Sequence, residues 1–272
     1  MSPSQLARAD EVVSASPPPA CPPGRSPRLA ARTGVICVAL VGWAGLAHVT
    51  VAGRQLISGP LETVEALHDA GLPLWGDLLV TLGRAGAGLA LGLVLGVVMG
   101  LAVGAAGRLT RAADGLLDFA RSIPPVMYLP IFLLALGFTD TSRVLTVALG
   151  VSVIVAAGVS TAMQAPPSGR KEQLLLAGAS WWQVLRWTQP FEALPALLVS
   201  TRVATGMAVV IATVTELVAT APRGIGARVL GAQIAGRTDE LTACLVALGL
   251  SGWLAGRLFT ALAHWLNVSL PP

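Results

Sequence analysis

In the stretch ATVTELVAT an ionisable residue, Glu216, stands inside a long run of apolar side chains, and Arg202 stands earlier in the same run. Charged groups within a bilayer are costly and face a water-filled cavity or a partner. Glu216 is therefore a candidate for a pathway or gate. Its alternative is structural, as the partner of an arginine or a backbone group near one end of its span. Arg202 suits a snorkelling or structurally paired cation.

The other chemistry-bearing residues do not converge. Glu172 and Glu192 are 20 positions apart in one polar loop, which argues against paired-carboxylate catalysis. Ser152, Ser160 and Ser200 lie in apolar runs, and none stands in a G-x-S-x-G elbow. His48, His68 and His264 share no helical face, so no metal site is expected. Cys21, Cys37 and Cys244 give no disulfide framework. The single lysine, Lys171, is followed by Glu172, which excludes a G-K-[ST] phosphate loop. No catalytic residue and no cofactor bound by this chain are expected.

The elements that would position these residues are membrane helices. Of 272 residues, 54% are hydrophobic and 12% charged, about half the charged fraction of a soluble domain. Six apolar segments run over about 33–52, 80–107, 119–138, 142–164, 192–220 and 240–267. A bilayer needs about 20 apolar residues per crossing, and in lipid each backbone polar group needs a partner within its own segment. The expected fold is all-α and polytopic, with about six transmembrane helices over residues 33–272. Residues 1–32, with seven prolines and four arginines, read as a disordered cytoplasmic tail.

Two segments carry a further signal. Gly88, Gly92, Gly96, Gly100 and Gly104 recur every fourth residue and predict a tight helix–helix seam. In RSIPPVMYLPIFLLALGF, Pro124, Pro125 and Pro130 predict a kinked or partly unwound helix, tolerated where it packs on protein or lines a cavity. That segment is a candidate pathway wall.

With the N-terminus inside, ten basic residues fall on the inner side and six on the outer, among them Arg84, Arg143, Arg223 and Arg228. The net charge of +4 is scattered over loops, with no dense run to hold a nucleic acid; anionic membrane lipid is the expected partner for it.

On this topology residues 165–191 form the largest inner loop. Pro166 and Pro167 break the fourth helix, EQLLLA makes a short helix that Gly178 ends, and Ser180 caps a second, WWQVLRW, stopping before Pro190. Trp181, Val184 and Leu185 share one face of it, with Trp182 and Arg186 on the next. Such a helix serves either as an interfacial aromatic belt or as an amphipathic plug for a cleft on a soluble partner.

From Glu172 the chain reads EQLLLAGASWWQVLR and reaches Leu194–Pro195. This resembles the EAA loop of permease subunits of binding-protein-dependent ABC importers. Glu172 matches its glutamate, Gly178 its glycine and Pro195 its terminal proline, while Gln173 and Leu174 replace two alanines. SGPLETVEAL, RSIPPVMYLPIFLLALGF and TRVATGMAVVIATVTELVATAPRGIG are similar, in the same order, to the nitrate/sulfonate/taurine branch, so the resemblance covers about residues 58–268.

The resemblance implies the MetI-like permease fold and a bacterial inner-membrane location. It makes Glu172, Gly178, Ala179, Ser180, Trp181, Trp182, Val184, Leu185, Arg186 and Pro195 an ATPase-docking loop. It implies a second copy of this permease, two ATPase subunits that bind ATP and magnesium, and an extracytoplasmic solute-binding protein. The expected cargo is a small anion such as a sulfonate, taurine or nitrate. A heterocyclic vitamin precursor and, in another class, a membrane enzyme acting on lipid are the alternatives.

Overall fold

A computed structural model describes residues 26–51, 54–105, 109–164, 170–180, 183 and 189–265. Helix α1 (Ser26–Ala47) is followed by a two-residue pair of strands, β1 (Thr50–Val51) and β2 (Arg54–Gln55), in antiparallel register. Then come α2 (Pro60–Gly104), α3 (Thr110–Ser122), a 3-10 turn at Pro125–Tyr128 and α4 (Leu129–Leu136). The chain continues through α5 (Asp140–Gln164), α6 (Arg170–Leu176), α7 (Gln189–Val218), α8 (Ile225–Ala235) and α9 (Thr238–Trp265). Contacts divide it into two units, Met1–Leu46 and Ala47–Pro272; the packing below belongs to the second.

Four helices, α2, α5, α7 and α9, are long and apolar enough to cross a membrane, and α3 with α4 form a fifth candidate bent by 88°. Leu79, Val94, Val98 and Leu134 lie exposed on their surfaces. In water such a surface would be an anomaly; in lipid it is the solvated face.

Several expected boundaries move. The first helix begins at Ser26, inside the stretch read as tail, while residues 1–25 lie outside the described residues. The second segment extends back to Pro60, but Gly71 (φ 50, ψ −146) breaks it, so a polar lead-in carrying Glu62, Glu65 and Asp69 precedes the apolar part. Pro190 sits in the first turn of α7, where its missing N–H costs nothing, while the short helix WWQVLRW expected before it lies, apart from Gln183, outside the described residues.

The glycine stripe is the axis of the second unit. A Cβ on Gly88, Gly92, Gly96, Gly100 or Gly104 would fall 2.5–2.7 Å from an atom of α5. The facing residues are Val147, Val151, Val155, Val159 and Met163, also four apart, so four β-branched valines and one flexible methionine fill the space that glycine leaves. Only hydrogen fits at each crossing point. Both series rise together along the chain, so α2 and α5 run parallel.

Parallel neighbours require the chain between them to recross the membrane. The broken segment does so. Ser160 and Gln164 at the end of α5 bond Asp114 of α3, Pro125 packs on Gly150 near the middle, and Ser142 at the start of α5 donates to the carbonyl of Phe132. A re-entrant loop would return to the level at which it began. Here the contacts climb the length of α5, so α3 and α4 make one bent crossing. The proline-bearing span thus takes the form expected of it, a break at Pro124–Pro125 with α4 starting anew at Leu129.

Helix α7 runs antiparallel to α5, with Ser200 against Gly158 and Ile211 against Gly150. The buried core gathers at this junction, from Val147, Val151 and Val155 on α5 and Ala204, Ala208 and Ile211 on α7.

Candidate functional site

Each end of the bundle holds a cluster that sequence motifs alone do not assemble. At the end where α2 enters the apolar region, Arg84 is 6% exposed and Glu216 wholly buried. Arg84 Nη1 donates to Glu216 Oε1 at 2.6 Å and to the carbonyl of Arg223 at 2.8 Å. Its Nη2 donates to Asp140 Oδ1 at 2.7 Å. One guanidinium therefore joins α2, α5, α7 and the turn before α8.

The other oxygen of Glu216 is equally engaged. Oε2 accepts from Thr81 Oγ1 at 2.9 Å and from the backbone N–H of Gly226 at 3.0 Å. Gly226 and Gly224, the latter at φ +124, press so closely on Glu216 that a Cβ on either would collide with it. Glycine is needed here for approach as well as for conformation.

A second arginine extends the cluster to α9. Arg228 Nε donates to Asp77 Oδ2 at 3.0 Å and Nη1 to Glu240 Oε1 at 2.9 Å. Burial works against the charge of Arg228, but hydrogen bonds and attraction from Asp77, then Glu240, outweigh it and raise its pKa. Arg143, 1% exposed, reaches Asp140 at 3.3 Å and the carbonyl of Ala219 at 3.4 Å. This is a fastening between helix ends, chemically inert: its acids are held by cations and backbone donors.

Of the two readings of Glu216, the geometry describes the partner of an arginine. Arg84, Arg143 and Arg228, counted from sequence as outer basic charges, are buried or half-buried partners of acids and not free loop charges. Sequence reading missed Thr81, Arg84, Asp77, Asp140 and Glu240. The charged ones left a single signal, opposite charges at or just outside the ends of different apolar segments, and Thr81 left none.

At the bend between α3 and α4 a cavity of about 240 Å3 is lined by Pro125, Tyr128, Gly150, Met207 and Arg121. Pro125 thus faces a cavity, whereas Pro124 and Pro130 are exposed. Asp114, whose carboxylate receives both Ser160 Oγ (2.9 Å) and Gln164 Nε2 (2.8 Å), fixes α3 to the other end of α5.

Beyond that end lies the predicted docking segment. Helix α6 closes with Gly178 at φ +86, and the N–H of Ala179 returns to the carbonyl of Leu174 at 2.9 Å. This is a glycine-terminated helix end. Immediately afterwards Ser180 and Gln183 form a reciprocal cap: Ser180 N donates to Gln183 Oε1 at 2.8 Å, and Gln183 N to Ser180 Oγ at 3.3 Å. Gly178 and Ser180 are exposed and Ala179 is half-buried. Trp181, Trp182, Val184, Leu185 and Arg186, and the side chain of Glu172, lie outside the described residues. Pro195 falls within α7 and is exposed. Among the described residues no group of three His, Cys, Asp or Glu side chains could hold a metal ion.

Comparison with known proteins agrees with this architecture. Residues 92–270 match the family model described as binding-protein-dependent transport system inner membrane component. The taurine transport system permease protein TauC of Escherichia coli is 25% identical over 228 residues, 81% of this chain and 82% of that protein. SsuC of Bacillus subtilis, named for aliphatic sulfonates transport, is 25% identical over 78% of this chain and 77% of its own length. The riboflavin transport system permease protein RibX of Chloroflexus aurantiacus is 35% identical over 71% and 73%.

Among solved structures, an inward-facing MetNI methionine ABC transporter chain gives a TM-score of 0.63 at 20% identity, covering 72% of this chain and 97% of that one. An amino acid ABC transporter with histidines gives 0.59 at 15% identity, covering 74% and 96%. The likeness in fold is to transporter permeases. With the parallel glycine seam, the bent crossing and the family match over most of its length, this chain belongs to the inner-membrane permease components of binding-protein-dependent ABC transport systems.

Proposed function

We propose that this permease lines the import path for a small organic anion of the sulfonate class, delivered by an extracytoplasmic solute-binding protein. Two copies form the path, and two separate ATPase subunits, which hold ATP and magnesium, dock on residues 165–191. The N-terminus is cytoplasmic. The observation that carries the cargo class is the similarity to TauC and SsuC over about four-fifths of the chain. The glycine-ended α6 and the capped turn at Ser180–Gln183 support the docking role, since both expose their backbone turns away from the helical core. The ten basic residues on the inner side against six on the outer support an inside N-terminus.

In this scheme ATP binding draws the ATPases together, and the capped segments pass that movement to the helices as rigid-body shifts. The test is uptake of labelled ethanesulfonate and taurine into vesicles holding the permease, its ATPase and its binding protein. ATP-dependent accumulation supports the assignment. The 35% identity to RibX favours a second reading, a heterocyclic vitamin as cargo. Uptake of riboflavin with none of either sulfonate would replace the first reading by the second.

A further inference from the structure

From the geometry we infer that Arg202 lies in a water-filled path and is the cation that the cargo's oxyanion meets there; this rests on the anionic-cargo reading above. Of the arginines whose side chains are described, Arg84, Arg121, Arg143, Arg223, Arg228 and Arg237 each reach a carboxylate. Arg257 stacks on Trp253 at 5.1 Å. Arg202 is exposed and makes no hydrogen bond or ion pair among the described residues. Every other arginine with a described side chain is answered within the chain.

Its depth makes that isolation significant. Ser200 packs on Gly158 of α5, six residues before α5 ends at Gln164. Two residues further along α7, the Cα of Arg202 lies about 12 Å in from that end of the bundle, within a hydrocarbon layer about 30 Å thick. An unpaired guanidinium surrounded by hydrocarbon at that depth is strongly disfavoured, so it stands in water, is covered by a partner subunit, or bends back to the headgroups at that end.

The face itself fits a path. The opposite side of α7 is consumed in packing, with Ser200, Ala204, Ala208 and Ile211 buried. Around Arg202 the exposed stripe is Val199, Val203, Gly206 and Val210, uncharged and small to medium in size. Gly206, one turn on, has nothing within 4 Å of a would-be Cβ. A single fork of donors on a smooth wall suits a sulfonate, whose oxygens accept paired N–H bonds from guanidinium. A phospholipid headgroup offers the same oxyanion chemistry, and the experiment separates the two sources.

The permease–ATPase–binding protein complex is reconstituted with Arg202→Gln and Arg202→Lys permeases. Ethanesulfonate uptake and binding-protein-stimulated ATP hydrolysis are measured together. The inference requires Arg202→Gln to lower uptake about tenfold or more while hydrolysis stays within about twofold, with Arg202→Lys partly restoring uptake. Equal loss of both activities, or none, overturns it. An Arg202→Cys chain gives a second readout: labelling by the membrane-impermeant sulfonatoethyl methanethiosulfonate above the parent's level, blocked by ethanesulfonate, is expected. Labelling no greater than the parent's marks a headgroup-bound, lipid-facing side chain and overturns the inference as well. Failure of the unsubstituted complex to move any sulfonate is a separate result, which removes the anionic-cargo reading and the ligand assigned to Arg202 with it.

Discussion

Arg84 and Glu216, 132 positions apart, meet through a 2.6 Å hydrogen bond between side chains that are 6% and 0% exposed. Asp140 shares the same guanidinium at 2.7 Å, and Gly226 and Thr81 hold the far oxygen of the carboxylate. The contacts tie the ends of α2, α5 and α7 together. Movement during transport is therefore expected between whole subunits more than between these helices.

Removing one member of a buried pair leaves the other uncompensated. Glu216→Ala is expected to cost about 3–5 kcal/mol and to lower the unfolding temperature of the detergent-solubilised permease. Glu216→Gln, which keeps the shape and part of the hydrogen bonding, should cost less. A Glu216→Gln protein with normal unfolding but selective loss of uptake would move Glu216 from fastening to pathway.

The glycine seam gives a graded expectation. Gly96→Ala places a Cβ 2.7 Å from Ser152 O and Val155 Cβ and should cost about 1–3 kcal/mol. Gly96→Leu forces α2 and α5 apart and should abolish folded protein. Gly86, which has nothing within 4 Å, should accept alanine without loss, and detergent melting curves of the three variants make the comparison.

Gly178→Val tests the docking segment. No atom lies within 4 Å of a Cβ there, so the cost is confined to the backbone, which sits at φ +86. A β-branched residue disfavours that conformation by about 1–2 kcal/mol and should displace the following cap. Membrane level should be retained while ATP-driven uptake falls at least tenfold. Unchanged uptake would argue against docking at this turn.

Thr220, at the end of α7, is the only non-glycine residue with positive φ among the described residues, at 45°. Asparagine tolerates that region better than a β-branched side chain. Thr220→Asn should stabilise the protein by about 1 kcal/mol, visible as a higher unfolding temperature with uptake unchanged.

Sequence alone determined what depends on local periodicity. Apolar runs marked the spans, glycines four apart marked the seam, and Gly178 followed by Ser180 marked a helix end and a new cap. Each signal needs only neighbours along one helix, so it can be read before any packing is known. Tertiary structure decided the rest. The glycine stripe did not say that its partner was α5, or that the two run parallel and so require the bent segment to cross. Nor could Glu216 be distinguished as gate or fastening until Arg84, Thr81 and Gly226 were placed around it. A buried charge is assigned by whatever surrounds it in space, and here those groups come from distant parts of the chain.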